Sequence, residues 1–136
     1  MKAFVVEKYG KDGLRAAEVP EPAVGDHDVL VRVSASSINP LDKMVRDGEF
    51  KQLLKYKTSF VLGHDVAGVV TQVGSAVRDF TAGDEVYARP RDLRIGSFAE
   101  FHRYRPGRHR AQAGLAHPPA GSRGAAGRAC RLADPR

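Results

Sequence analysis

The feature that most constrains this chain is the stretch Leu62 to Val77, LGHDVAGVVTQVGSAV, in which three glycines punctuate small and β-branched residues. Val66, Ala67, Val69, Val70 and Val73 favour an extended, buried strand, because branched side chains pack well on a pleated surface. Gly68 lies inside that strand, where the lack of a side chain predicts a bulge or a second backbone passing close by. Gly74-Ser75 predicts a turn. His64 and Asp65 stand at the head of the run, so an imidazole and a carboxylate are expected at the mouth of a buried strand, where chemistry is to be sought.

The flanking sequence repeats this short-strand rhythm. Lys2 to Glu7 and Leu14 to Val19 predict a hairpin across the turn-prone Tyr9 to Gly13, and Asp28 to Ser34 predicts a strand buried on at least one face. Pro20 to Asp28 is proline-rich and polar, a connection. Asn39-Pro40 predicts an extended residue followed by a short helix that runs to Gly48 with Pro40 in its first turn. Phe50 to Tyr56 fits a short helix or a loop. Asp79 to Asp84 predicts a turn, Glu85 to Ala88 a strand, and Gly96 to Phe101 the start of one more. Six or more short strands with few helices predict a mainly β fold, a small barrel or sandwich.

The net charge of +6 suggests nucleic acid until its distribution is read. Up to Phe101 there are 14 Lys and Arg against 15 Asp and Glu; from His102 onward there are 8 Arg against the single Asp134. The basic character therefore belongs to the last 35 residues, of which Arg, Ala, Gly and Pro make up 25. Such a composition cannot bury enough apolar surface to offset its ordering entropy, so a disordered C-terminal tail over 102–136 is expected. Its arginines lack the interleaved aromatics of a base-stacking surface, and no nucleic-acid partner is expected. No run approaches the roughly 18 apolar residues of a membrane span, and the N-terminus lacks the apolar core of a signal peptide. A cytoplasmic location and no membrane partner are expected. Cys130 is the only cysteine, which excludes an intramolecular disulfide and a cysteine-built zinc site.

Gly63-His64-Asp65 with Gly68, Gly74 and Val77 at their spacing closely resembles the signature of the medium-chain dehydrogenase/reductase superfamily, whose usual form has Glu where Asp65 stands. Asn39-Pro40-Leu41-Asp42 followed by Gly48, Ala82 to Tyr87, and Gly96 to Phe101 are similar to further landmarks of that family, in the same order. The N-P-x-D element and the lack of structural-zinc cysteines resemble the zinc-independent quinone oxidoreductase branch. The resemblance implies a GroES-like, partly open β-barrel with short helices over 1–101. It also implies a substrate-side role in an enzyme that transfers hydride from NADPH to a quinone, enone or carbonyl compound. In such enzymes a separate Rossmann domain holds the cofactor, and full-length relatives can be homodimers. No G-x-G-x-x-G lies here between a strand and a helix, and Gly121 to Gly127 has no apolar strand before it. Tight NADPH binding and reductase activity are therefore not expected of this chain alone. The GC-rich codons of the 102–136 residues suggest a frameshift near codon 102.

The resemblance directs attention to Asn39, Asp42 and His64 as candidate catalytic residues. Asn39 is also the candidate cofactor contact, because its amide offers donors and an acceptor to a carboxamide or carbonyl. Equally, Asn39 can open a turn and Asp42 can support the first helical turn. In zinc-dependent relatives the position of His64 is a metal ligand, but Asn39 stands where a thiolate partner would be, and no metal is expected. The competing readings are a zinc-dependent alcohol dehydrogenase domain and a non-enzymatic barrel with a nucleic-acid-binding arm. Asp65 is expected to anchor backbone amides, and Tyr56 and Tyr87 to pack with their hydroxyls at the rim.

Overall fold

A computed structural model describes residues 1–90 and 93–106. Two antiparallel sheets are built from seven strands among the described residues. β1 (Lys2–Val6) pairs with β2 (Leu14–Glu18) in the expected hairpin, with Lys2 opposite Glu18 and Val6 opposite Leu14. The far side of β1 takes β4 (Phe60–Val61), which gives the order β2-β1-β4. The second sheet runs β6 (Glu85–Ala88), β5 (Val66–Val73), β3 (Val29–Ala35), β7 (Phe101–Tyr104). The glycine-punctuated run is therefore an inner strand, and Val29, Val31, Val66, Val70, Phe80, Val86, Ala88 and Tyr104 form the core on its sheet.

Gly68 explains itself at this point. A Cβ there would lie 2.0 Å from the carbonyl oxygen of Arg32 on β3, so only glycine allows the two backbones to pair at that register. The β3–β5 ladder also shifts register between Leu30 and Val31 and between Val33 and Ala35. Such bulges twist and bend a strand, which lets the sheet curve.

The segment before β7 joins the sheets. Phe4 N–H donates to Phe98 O at 2.8 Å, Ala3 bridges Ala99, and Glu100 N–H donates to Lys2 O at 3.1 Å. Val33 N–H then donates to Glu100 O at 2.8 Å, and the chain continues along β3 as β7. The sheets thus share one corner and remain open elsewhere, the partly open barrel implied by the resemblance.

Two expectations need correction. The final strand does not start at Gly96; residues 96–100 make the corner, and the strand occupies Phe101–Tyr104. Nor does folded structure stop at His102, where the tail was expected to begin. His102 and Tyr104 point inward, 5% and 6% exposed, while Arg103 points out. Two inward positions are too short a pattern to stand out against an arginine-rich window, and the edge of β3 supplies the backbone partners. The rest of the 102–136 expectation, from Gly107 onward, lies outside the described residues.

Candidate functional site

The site lies where the head of β5 meets α1 (Pro40–Asp47). Pro40 starts the helix with a fixed φ, and Gly48 ends it in the left-handed conformation at φ 83°. Asn39 precedes it as an extended N-cap residue, as the Asn-Pro pair predicts. Asp42 N–H donates to the backbone carbonyl of Asn39 at 3.0 Å, and Asn39 N–H donates to Asp42 Oδ2 at 2.7 Å. Asp42 therefore supports the first turn through its carboxylate, in a capping box with Asn39.

At the head of β5, Gly63 has φ 115°, and a Cβ there would meet Ser97 Oγ at 2.4 Å. This turn delivers His64 inward and leaves Asp65 half-buried. His64 Nδ1 lies 2.5 Å from Asp42 Oδ1, and each residue is 1% exposed. The carboxylate oxygen can only accept from this nitrogen, which sets the Nδ1–H tautomer for a neutral ring. His64 Nε2 is buried with no hydrogen-bond partner among the described residues.

Asp65 lies half-buried at the same junction. Its Oδ2 accepts from Asn39 Nδ2 at 2.6 Å and from the Ser37 hydroxyl at 2.7 Å. It was expected to anchor backbone amides; instead it binds two side chains. Its own backbone carbonyl accepts from Ser36 Oγ, which also lies 2.9 Å from the buried Ser97 Oγ. The Asn39 side chain also approaches the Asp42 backbone amide as in a capping box, without completing a cap hydrogen bond. The structure thus brings together all three residues singled out from the sequence, Asn39, Asp42 and His64. It adds Ser36, Ser37 and Ser97, which sequence reasoning passed over because serines beside a turn carry no periodic signal.

The two tyrosines divide. Tyr56 stacks on Phe60 with centroids 4.7 Å apart, and its hydroxyl accepts from Leu93 N–H at 3.0 Å. Tyr87, expected to pack, is about half exposed on β6.

A metal does not fit this junction. His64 offers one imidazole nitrogen, Asn39 Nδ2 is committed to Asp65, and among the described residues no three His, Cys, Asp or Glu side chains converge. A nicotinamide carboxamide would need an acceptor for its N–H groups, and an asparagine side-chain oxygen is of that chemical type.

A separate cavity of about 870 Å³ opens beside β7, lined by Val61, Ile95, Phe101, His102 and Arg103 among others, and none of the junction residues borders it. Burial of His102 beside it holds its pKa down at about 4 against the usual 6.5, with the Arg103 charge acting in the same direction and a backbone hydrogen bond at Gly96 opposing both.

Comparison with known proteins agrees with this geometry. The model of the alcohol dehydrogenase GroES-like domain matches residues 25–130, a span that runs past the composition change at His102. The chain is 39% identical over 109 residues to an NADPH-dependent alkenal/one oxidoreductase, chloroplastic, of Arabidopsis thaliana, covering 74% of this chain and 28% of that protein. It is 38% identical over 103 residues to the chloroplast envelope quinone oxidoreductase homolog of the same plant, covering 74% and 31%. The solved quinone oxidoreductase of Coxiella burnetii superposes with a TM-score of 0.75 at 26% identity, over 86% of this chain and 36% of that one. The chain thus spans less than a third of the length of these two curated relatives. Fold, motif order and sequence likeness agree: the chain belongs to the medium-chain dehydrogenase/reductase superfamily, as an N-terminal alcohol dehydrogenase GroES-like domain of the quinone oxidoreductase type.

Proposed function

We propose that this domain is the substrate-side half of an NADPH-dependent oxidoreductase that reduces a quinone, an enone or a related activated carbonyl compound. The observation that carries the reading is the Asn39 amide, held at the junction of α1 and β5 by its hydrogen bond to Asp65. The names of the relatives, an alkenal/one reductase and a quinone oxidoreductase homolog, support the substrate class. When bound, the nicotinamide supplies the hydride; the protein supplies position and electrostatics. In this reading Asn39 meets the nicotinamide or the substrate. Asp42 and His64, each too buried to touch either, hold the end of α1 against β5 so that Asn39 stays in place.

The chain alone is expected to lack turnover, since no nucleotide-binding fold is read in its sequence. Beyond β7, the rest of the 102–136 segment enters this reading as a non-native tail produced by a shifted frame close to that point. If neither of the other two frames downstream encodes apolar strands and a glycine-rich nucleotide loop, that part is wrong. The reading also places the protein in the cytoplasm, which cell fractionation checks. Among the described residues no helix is long and apolar enough to cross a membrane.

The decisive experiment joins residues 1–104, which keep β7 whole, to the nucleotide-binding domain of a quinone oxidoreductase. NADPH-dependent reduction of a quinone or an enone is expected, with a loss on Asn39→Ala. A folded chimera that reduces neither class defeats the proposal, as does NADPH turnover by the unfused 136-residue chain for the claim of inactivity.

A further inference from the structure

An asparagine at an N-cap ordinarily spends its side-chain oxygen on the free amides of the first helical turn. Here the Asn39 side chain approaches the Asp42 backbone amide as in a capping box, but completes no cap hydrogen bond there. Asp42 N–H goes to the Asn39 backbone carbonyl, and the Asp42 carboxylate takes the Asn39 N–H in return. The cap by itself therefore holds the amide only weakly, and a stronger contact decides which end takes which place.

The geometry points to Asp65 as that determinant: we propose that Asp65 is a positioning residue that fixes the orientation of the Asn39 amide, nitrogen toward its carboxylate and Oδ1 away from it. Asp65 Oδ2 accepts from Asn39 Nδ2 at 2.6 Å and is itself fixed by the Ser37 hydroxyl at 2.7 Å. A flipped amide would set Asn39 Oδ1 against that carboxylate oxygen at the same short distance, two acceptors with no proton between them. Backbone contacts hold Asp65 in turn, through Ser36 Oγ on its carbonyl and the Gly63 turn just before it. The oxygen turned away from Asp65 is thus an acceptor set in advance, suited to a group that presents an N–H or O–H. That the ligand is a nicotinamide carboxamide rests on the function proposed above; the hold of Asp65 on the amide does not.

The test uses the 136-residue chain, in which Asn39 is the only asparagine, so selective asparagine labelling with ¹⁵N gives one side-chain NH₂ group. In the unaltered protein its two protons, one bonded to the carboxylate, are expected as a widely split pair. Asp65→Ala should narrow the split toward that of a solvent-exposed asparagine amide, and Asp65→Glu, which returns a carboxylate, should restore it. Titration with nicotinamide mononucleotide should shift the Asn39 signals, with affinity about tenfold weaker in Asp65→Ala. Thermal unfolding accompanies each variant, because a merely structural role would move the melting temperature and leave the splitting alone. An unchanged pair in folded Asp65→Ala overturns the inference. If that variant does not fold, Ser37→Ala, which frees the same oxygen, is expected to narrow the splitting, and no change there also overturns it. A split pair that nicotinamide mononucleotide does not move sustains the role of Asp65 and defeats the cofactor reading of Asn39.

Discussion

Acid should weaken this fold through His102, and the size of the effect follows from where that ring sits. On β7, opposite Val31, it is buried with Nε2 unpartnered, and its pKa is lowered from 6.5 to about 4. Above pH 6.5 the ring is neutral in both the folded and the unfolded chain, so it contributes no pH dependence there. Between the two values the unfolded chain takes up a proton that the folded chain refuses, and stability falls as pH falls. Below about 4 both forms are protonated and the loss levels off. The linkage integral across that window gives a loss of about 2 kcal/mol by pH 5 and about 3 kcal/mol by pH 4, a large part of a small domain's stability. Urea unfolding of the unaltered protein and of His102→Leu at a series of pH values from 7 to 4 isolates the effect, because every other titrating group is common to both. The difference in unfolding free energy is expected to move in favour of the leucine variant by about 3 kcal/mol over that range. Parallel curves, within about 0.5 kcal/mol, would refute the reasoning and mean that water reaches the ring.

Three further outcomes are expected. Asp42→Ala strips the partner from two inward donors, Asn39 N–H and His64 Nδ1–H, and should cost about 2–4 kcal/mol in denaturant unfolding; a loss under about 1 kcal/mol would show that the pair is not structural. Gly68→Ala drives a methyl group into the Arg32 carbonyl, a backbone atom that cannot step aside, so β3 and β5 must separate; a destabilisation of at least about 2 kcal/mol is expected, and a neutral result by thermal melting contradicts the close approach. Purified protein should carry far less than one zinc per chain by elemental analysis, and stoichiometric zinc that disappears in His64→Ala would reinstate the metal reading.

The sequence made the strand order of the hairpin, the inner strand β5 and the helix after Asn39-Pro40 legible because each carries a strong local signal: alternation, β-branching, or a proline that excludes other conformations. β7 was misjudged because its signal is not local. His102 and Tyr104 turn inward only because the edge of β3 is waiting for them, and an arginine-rich neighbourhood hides two inward side chains. The site divides in the same manner. Motif likeness pointed to Asn39, Asp42 and His64, yet the partner of the Asn39 side chain lies 26 residues away, on an element whose approach depends on the turn at Gly63. Ser37 and Ser97 gained meaning only once that approach was known.

The corner at residues 98–100 bears on how the molecule is made. During synthesis β1 finds its hairpin partner within a few residues, but the contact from Ala3 to Ala99 must wait for nearly a hundred more. Closing so long a loop is slow in a chain dominated by non-local pairings. Until then the two sheets exist as separate, half-covered halves. Chaperone demand during synthesis should therefore peak just before this corner emerges, and subside once it has closed.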